Sequence, residues 1–194
     1  MQIHLVLRNR PDTADTYTMI TYRTATKEDA RRIAQLHALS WQQNYKGILS
    51  DQYLDQEVRN DRMKVWDKRL NEPRENQHII LAFDENILCG FACAYADKDP
   101  QYGALLDNLH VFGDWKGKGI GAELMRRSVA WVHERNPDSH YYLWVLEKNK
   151  GATRFYKRLG GEIVETMLDD MPGGGQASIH RIVWTDLNTL LQAN

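Results

Sequence analysis

Apolar and polar positions alternate along this chain with two different periodicities, and each periodicity predicts one type of secondary structure. Apolar residues spaced three and four apart predict helices with one buried face. The first such stripe follows Thr26, which forms a capping-box pattern with Asp29 three residues later. Its inward positions are Ala30, Ile33, Ala34 and His37. His37 is therefore interpreted as a core histidine. Further helices are predicted from Ser50 to about residue 70, and over residues 119–134 and 151–159.

Short runs rich in β-branched and aromatic residues predict strands between these helices. The predicted strands cover residues 20–23, 78–83, 87–96, 104–111, 140–146, 162–167 and 178–184. The second and third form a hairpin across the turn Asp84, Glu85 and Asn86. Residues 1–18 are predicted to be a loosely attached extension, within which residues 3–7 offer one extra edge strand. Residues 19–194 form one predicted domain.

The segment from residue 111 to 124 runs from a predicted strand through glycines into a helix. Gly117, Gly119 and Gly121 leave room for a phosphate group to approach the backbone, and the helix start offers unpaired N–H groups. Lys116 and Lys118 add positive charge. The spacing does not fit a P-loop, because Lys118 is followed by glycine rather than Ser or Thr. It does not fit the dinucleotide fingerprint either, because the glycines are spaced two and two.

Two motifs together resemble the GNAT superfamily of N-acetyltransferases. Lys116, Gly119 and Gly121 occupy the defined positions of the family's pyrophosphate loop, Gln/Arg-x-x-Gly-x-Gly/Ala, where Lys116 replaces the usual Arg or Gln. Lysine offers a point charge rather than a bidentate fork. The second motif consists of Asn149, Ala152, Phe155, Tyr156, Gly160 and Gly161. The resemblance covers residues 20–191. It implies an α+β fold with a mixed, mostly antiparallel sheet of six to seven strands, helices on both faces and splayed central parallel strands.

The resemblance also implies acetyl-CoA as co-substrate and assigns roles by position. The main chain of Leu109 and Val111 is expected to pair with the pantetheine amides, and Asn149 to contact the pantetheine arm or to cap the following helix. The expected pyrophosphate cradle consists of Lys116, Gly117, Lys118, Gly119, Ile120, Gly121 and Ala122. Tyr156 falls on the general-acid position, where its hydroxyl meets the departing thiolate. The alternative for Tyr156 is a packed core aromatic.

The general base is harder to assign, because many family members carry a Glu where this chain has Leu105. Asp107, Asn108 and His110 are the polar substitutes in this strand, with Asp107 and His110 as the candidate catalytic residues. Asp107 is alternatively expected to orient the ammonium group of the acceptor, and each is also compatible with an ordinary strand residue. A bulge is expected in this strand, so side-chain direction does not follow from alternation alone. His110 has the more suitable intrinsic pKa and is slightly favoured. A histidine base with its ordinary pKa predicts an acidic limb in the rate profile near about pH 6 to 7.

Composition narrows the classes of partner. The chain has 25 basic and 26 acidic residues and a formal net charge of −1, so neither nucleic acid nor an anionic membrane is an expected partner. Cys89 and Cys93 lack a second Cys or His pair at metal spacing, which indicates core thiols and no metal site. No apolar run approaches the roughly 18 residues of a membrane span. A cytoplasmic enzyme is the expectation, and a homodimer is compatible with it.

The predicted reaction is transfer of an acetyl group to a primary amine by direct attack in a ternary complex. The acceptor is a small-molecule or peptide amine, and the sequence leaves peptide N-termini, polyamines, amino acids and aminoglycosides open. Trp41 and Tyr45 are the predicted acceptor-binding residues, with residues 169–176 as a further wall. The alternative function is a non-catalytic sensor that binds CoA or an acyl-CoA. A third interpretation is O-acetylation or the use of a longer acyl group.

Overall fold

A computed structural model describes residues 19–192 of the chain. The predicted extension, including its edge strand at residues 3–7, lies outside the described residues. The described part contains seven strands, one for each predicted run. They are β1 (Ile20–Thr24), β2 (Gln77–Asp84), β3 (Ile87–Asp99), β4 (Gly103–Val111), β5 (Tyr141–Leu146), β6 (Glu162–Asp170) and β7 (Gln176–Trp184).

Five α-helices accompany these strands in the described chain. They are α1 (Ala30–Asn44), α2 (Val58–Asn71), α3 (Ile120–Arg135), α4 (Lys150–Arg158) and α5 (Asn188–Leu191). A π-helical segment, Tyr53–Glu57, precedes α2, and neither this segment nor α5 was predicted. The start of α1 follows the predicted capping box, in which the backbone N–H of Thr26 donates to Asp29 Oδ2 at 2.9 Å. A 3₁₀ turn, Lys27–Asp29, forms the first turn.

The seven strands form one sheet in the order β1-β2-β3-β4-β5-β7-β6. Every neighbouring pair is antiparallel except β4 and β5, which run parallel. The parallel pairing is limited to Ala104 with Tyr141 and Leu105 with Tyr142. Beyond these two pairs the strands separate toward their carboxyl ends. The predicted α+β sheet with splayed central parallel strands is therefore confirmed.

Helices cover both faces of the sheet, as predicted. On one face, Leu124 and Val129 of α3 pack in a core cluster with Leu143 of β5. On the other face, Ile33 of α1 and Trp66 of α2 pack with strand residues such as Leu81 and Phe91. All four predicted inward positions of α1 are buried, including His37 with no exposed surface. Burial of these faces supplies the apolar contacts that hold the helices against the sheet.

The predicted bulge in β4 lies at Asp107. Asn108 is opposite Cys93 and Leu106 is opposite Ala94, which leaves Asp107 as the extra residue on β4. A bulge bends the strand and breaks the alternation of its side chains. It lies just past the last parallel pair between β4 and β5, where the sheet begins to open.

Candidate active site

The opening between β4 and β5 forms a cleft of about 760 Å³. Residues from Leu106 to Val111 line one side and residues from Leu143 to Leu146 line the other. The start of α3 closes one end and the end of α1 borders the other. In open sheets, a cleft outside the carboxyl ends of diverging parallel strands is a common ligand site.

The glycine loop borders this cleft and carries a row of backbone donors without protein acceptors in the described part of the chain. Gly117 and Gly119 have φ angles of +76° and +78°, which side-chain-bearing residues rarely adopt. A Cβ built on either one meets no atom within 4 Å, so the space beside them is open. Within residues 19–192, the N–H groups of residues 117–122 have no protein acceptor. Six consecutive N–H groups at a helix start fit a pyrophosphate, so the donor set matches the predicted cofactor.

The predicted loop residues divide between the cleft and other surroundings. Lys116, Gly117, Gly119, Gly121 and Ala122 line the cleft. Lys118 is exposed and does not line it. The Ile120 side chain is packed in the core with 1% exposure, so its only possible contribution is its backbone N–H.

Four residues of the second motif line the cleft: Asn149, Ala152, Phe155 and Tyr156. Asn149 Oδ1 accepts the backbone N–H of Ala152 at 3.2 Å. Asn149 therefore caps α4, which is the second of the two roles expected for it. Tyr156 lines the cleft with 8% exposure and packs against Phe155 and Trp184. Burial raises the pKa of the Tyr156 hydroxyl, with a smaller contribution from Tyr45. The hydroxyl therefore stays protonated, as a hydrogen-bond donor must.

His110 lies in the cleft wall on β4, and its Nδ1 atom is 2.9 Å from Ser40 Oγ. The His110 ring also contacts the rings of His37 and Phe91. Burial, together with the smaller effects of the Lys116 and Arg62 charges, lowers the pKa of His110 to about 3. His110 is therefore neutral at physiological pH. The acidic limb expected near pH 6 to 7 from its ordinary pKa does not fit this environment.

Asp107, the other candidate base, forms an ion pair with Arg69 of α2, whose Nη1 is 2.7 Å from Asp107 Oδ2. The same Arg69 Nη1 donates to Asn108 Oδ1 at 2.7 Å. Arg69 thus holds two consecutive residues of the β4 bulge. This ion pair engages one oxygen of the Asp107 carboxylate, Oδ2, and favours a positioning role over proton removal.

The end of the cleft next to α1 is aromatic. Trp41 and Tyr45 line it, and their rings lie 5.5 Å apart. Tyr53 packs behind Trp41, and its hydroxyl donates to Asp61. Met171, from the turn between β6 and β7, packs against this group. The structure thus places both predicted acceptor-binding residues at one end of the same cleft that contains Tyr156.

Three residues at this site were missed in the sequence: Ser40, Asn44 and Arg69. Ser40 and Asn44 continue the inward stripe of α1 after His37, at spacings of three and four residues. The predicted stripe was defined by apolar residues and therefore did not include these two polar ones. Their helical spacing nevertheless places them on the same face of α1 as His37. Arg69 gave no such signal, because only the tertiary fold brings α2 beside the bulge.

Both cysteines lie away from this cleft. Cys89 and Cys93 are free and fully buried, and neither lines the cleft. Burial raises the thiol pKa to about 11 for Cys89 and about 12 for Cys93. Neither thiol is therefore available as a thiolate.

No helix in residues 19–192 has the length and apolarity needed to cross a membrane.

Comparison with known proteins agrees with this geometry. Residues 28–161 match the model of the acetyltransferase (GNAT) family. The chain belongs to this family. It is thus an acetyltransferase, and acetyl-CoA, the co-substrate of GNAT enzymes, is its cofactor.

The matches to individual relatives cover different shares of the chain. The uncharacterized N-acetyltransferase YuaI of Bacillus subtilis is 25% identical over 89% of this chain and 96% of its own. The uncharacterized N-acetyltransferase MJ1207 of Methanocaldococcus jannaschii is 38% identical, but the match spans only 33% of this chain and 28% of the archaeal protein. The crystal structure of PaiA N-acetyltransferase from Thermoplasma acidophilum with coenzyme A has a TM-score of 0.67 and 21% identity. That match covers 84% of this chain and 98% of PaiA, and it shows a shared fold.

Proposed function

We propose that this GNAT acetyltransferase transfers the acetyl group directly from acetyl-CoA to a primary amine in a ternary complex. One observation carries the proposal: a single cleft connects the donor loop around Gly119, the Tyr156 hydroxyl and the aromatic end at Trp41. Both substrates can therefore be bound at once, with the thioester between them. Holding both reactants in one cleft replaces a bimolecular encounter by a positioned attack.

The donor half of the cleft would hold acetyl-CoA mainly through backbone atoms. The N–H groups of residues 117–122 and the Lys116 ammonium would bind the pyrophosphate, and the main chain of Leu109 and Val111 would pair with the pantetheine amides. Asn149 caps α4 through Oδ1, so its amide nitrogen is the atom left to contact the pantetheine arm. Bound there, acetyl-CoA supplies the thioester that the amine attacks.

Tyr156 would stabilise the sulfur as the thiolate leaves. Its hydroxyl has a raised pKa, so complete proton transfer to sulfur, whose ordinary thiol pKa is about 8.5, is strongly uphill. Hydrogen-bond donation requires no such transfer and is stronger toward a developing charge than toward the neutral thioester. This difference between the two states is what lowers the barrier.

The amine must be neutral to attack, and an alkyl amine with a pKa near 10.4 costs about 4 to 5 kcal/mol to deprotonate at pH 7. We assign the proton-accepting side chain to His110, because it is neutral and lines the cleft, whereas Asp107 is held by Arg69. Its low pKa makes His110 a weak base before the cofactor binds. Pyrophosphate next to Lys116 would compensate one of the two charges that depress this pKa.

A ternary complex fits the chain better than a covalent acetyl-enzyme. A ping-pong route needs a nucleophile at the thioester, and both cysteines are buried outside the cleft with raised pKa values. The acceptor would be a small-molecule or peptide amine that packs on Trp41 and Tyr45. Asp169, an exposed carboxylate on the cleft lining, favours a cationic acceptor.

The experiment that tests the proposal is release of free CoA thiol with a panel of polyamines, amino acids, aminoglycosides and peptides. The proposal requires thiol release that depends on an amine and yields an acetylated product by mass spectrometry. Tight binding of acetyl-CoA without release by any amine would instead support a CoA sensor. Acetyl-enzyme formed in the absence of amine would contradict direct attack.

A further inference from the structure

A chain of three hydrogen bonds joins the cofactor loop to His110. Lys116 Nζ donates to Asn44 Oδ1 at 3.0 Å. Asn44 Nδ2 lies 3.2 Å from Ser40 Oγ and 2.6 Å from the Ser40 carbonyl oxygen. Ser40 Oγ is in turn 2.9 Å from His110 Nδ1. Two side chains of α1 thus connect groups that are separated in the sequence and serve different substrates.

The chemistry of the Lys116 ammonium group determines which atom donates in each of these three hydrogen bonds. A lysine ammonium only donates, so the Asn44 carbonyl oxygen must face Lys116 and its amide nitrogen must face Ser40. Ser40 Oγ therefore accepts from Asn44, and its own proton is left for His110 Nδ1. This arrangement fixes the neutral His110 ring with its proton on Nε2. A tautomer is set in this way by the hydrogen bond at the other ring nitrogen.

Among the described residues, the hydrogen bond to Ser40 is the one polar contact of the His110 ring. His37 of α1 lies against the His110 ring, but its Nδ1 accepts from Trp66 Nε1 at 2.9 Å. The His37 Nε2 atom is buried without a partner among the described residues. Phe91 of β3 offers only a ring contact. The charged groups that act on His110 are Lys116 from the loop and Arg62 from α2.

We propose that Ser40 and Asn44 are positioning residues that transmit occupation of the cofactor loop by pyrophosphate to the His110 ring. Pyrophosphate is a stronger partner for an ammonium group than a neutral amide is, because the pair is charged on both sides. When Lys116 turns to the phosphate, Asn44 Oδ1 loses its partner, and the amide is held only through Nδ2, whose shorter contact is to the Ser40 carbonyl oxygen. Asn44 Nδ2 then stays on this carbonyl and releases Ser40 Oγ. Ser40 is then free to accept rather than donate at His110 Nδ1, and the proton shifts from Nε2 to Nδ1. The lone pair of Nε2 becomes available as a proton acceptor.

This inference rests on the proposed function only for the use made of His110, and the coupling itself is measurable without any reaction. The probe is the nucleotide half of coenzyme A, adenosine 3′-phosphate 5′-diphosphate, which fills the loop but lacks the pantetheine arm. It therefore has no thiol or amide with which to contact His110 directly. The readout is the pair of ¹⁵N imidazole shifts of His110 at neutral pH, because they distinguish the two neutral tautomers.

In the wild-type protein we expect saturation with this probe to move the His110 nitrogens toward the Nδ1–H tautomer. Asn44→Leu and Ser40→Ala should each remove at least half of this response, while calorimetry shows that the probe still binds. Ser40→Thr retains the hydroxyl and should retain the response. Gln43→Leu changes the neighbouring exposed position of α1 and is the control for Asn44→Leu. Thermal unfolding of each variant verifies that it is folded.

Two results would overturn the coupling: no ¹⁵N response in wild-type protein saturated with the probe, or an undiminished response in both Asn44→Leu and Ser40→Ala. Failure of the proposed function looks different. If His110→Ala acetylates amines at the wild-type rate, His110 does not take the proton, but a ¹⁵N response that depends on Asn44 still stands.

Discussion

The imidazole rings of His37 and His110 lie in contact, with centroids 4.5 Å apart and planes inclined by 40°. Trp66 donates to His37 Nδ1, so His37 is held neutral. Burial is the main cause that lowers the pKa of both histidines, and the electrostatic interaction with His110 lowers that of His37 as well. The fold therefore holds two adjacent imidazoles in their uncharged forms.

This arrangement predicts that acid destabilises the protein well above the range in which carboxylates titrate. The pKa of His110 is lowered to about 3, whereas the unfolded chain takes up this proton near about pH 6.5. Between pH 6 and 5 the unfolded state thus binds more protons, and stability falls as the pH falls. His110→Gln should reduce the slope of unfolding free energy against pH by about 1 kcal/mol per pH unit. Urea unfolding at several pH values, with His133→Gln as control, measures this slope. An unchanged slope would mean that His110 titrates alike in both states.

Gly119→Val should weaken acetyl-CoA binding by at least about tenfold, or about 1.4 kcal/mol. The added side chain would project into the open space beside the loop, where the pyrophosphate is expected. Gly174→Val is a matched control, because Gly174 also has a positive φ and no atom within 4 Å of its built Cβ. It therefore imposes a similar backbone strain away from the loop. Calorimetry decides, and equal affinities of the two variants for acetyl-CoA would argue against this loop as the phosphate site.

Tyr156→Phe should lower turnover by about tenfold or more, since a hydrogen bond worth 1.4 kcal/mol in the transition state corresponds to that factor. The affinity for acetyl-CoA should change little, because the ring stays packed against Phe155 and Trp184. Tyr102→Phe, which removes a hydroxyl that does not line the cleft, is the control. Turnover within about twofold of the wild type would reduce Tyr156 to a core aromatic.

Asp107→Asn should lower stability without removing the proton acceptor of the reaction. Loss of the carboxylate leaves Arg69 without its ion-pair partner at the β4 bulge, at a cost of about 1 to 3 kcal/mol. The value of kcat/KM should change little in Asp107→Asn, whereas His110→Ala should lower it. Chemical denaturation and kcat/KM measurements test the two effects separately. A kcat/KM that falls in Asp107→Asn and persists in His110→Ala would assign proton removal to Asp107.

The fold was predictable from the sequence wherever a local pattern determines the structure. All seven strands of the described chain were expected from apolar runs, and the capping box at Thr26 and Asp29 marked the start of the first helix. The π-helical segment before α2 was missed, because it inserts a residue into an otherwise regular helical pattern. The helix α5 is only four residues long, too short for a periodic signal.

The site was predictable in its backbone parts and less so in its side-chain network. Glycines such as Gly119 can be recognised in the sequence, because their positive φ and the open space beside them depend only on the residues of one loop. The pKa of His110 and the pairing of Asp107 depend on Arg62, Arg69 and Lys116, which come from other segments. Only the assembled fold brings these charges within reach. For the same reason the ordinary histidine pKa was a poor guide to the rate profile.

The most direct test of the central claim is a matrix of initial rates of CoA thiol release, in which acetyl-CoA and the best amine of the panel are both varied. Direct attack in a ternary complex predicts double-reciprocal lines that intersect, because neither product can leave before both substrates are bound. Parallel lines would indicate an acetyl-enzyme and contradict the account, as would thiol release that does not depend on the amine.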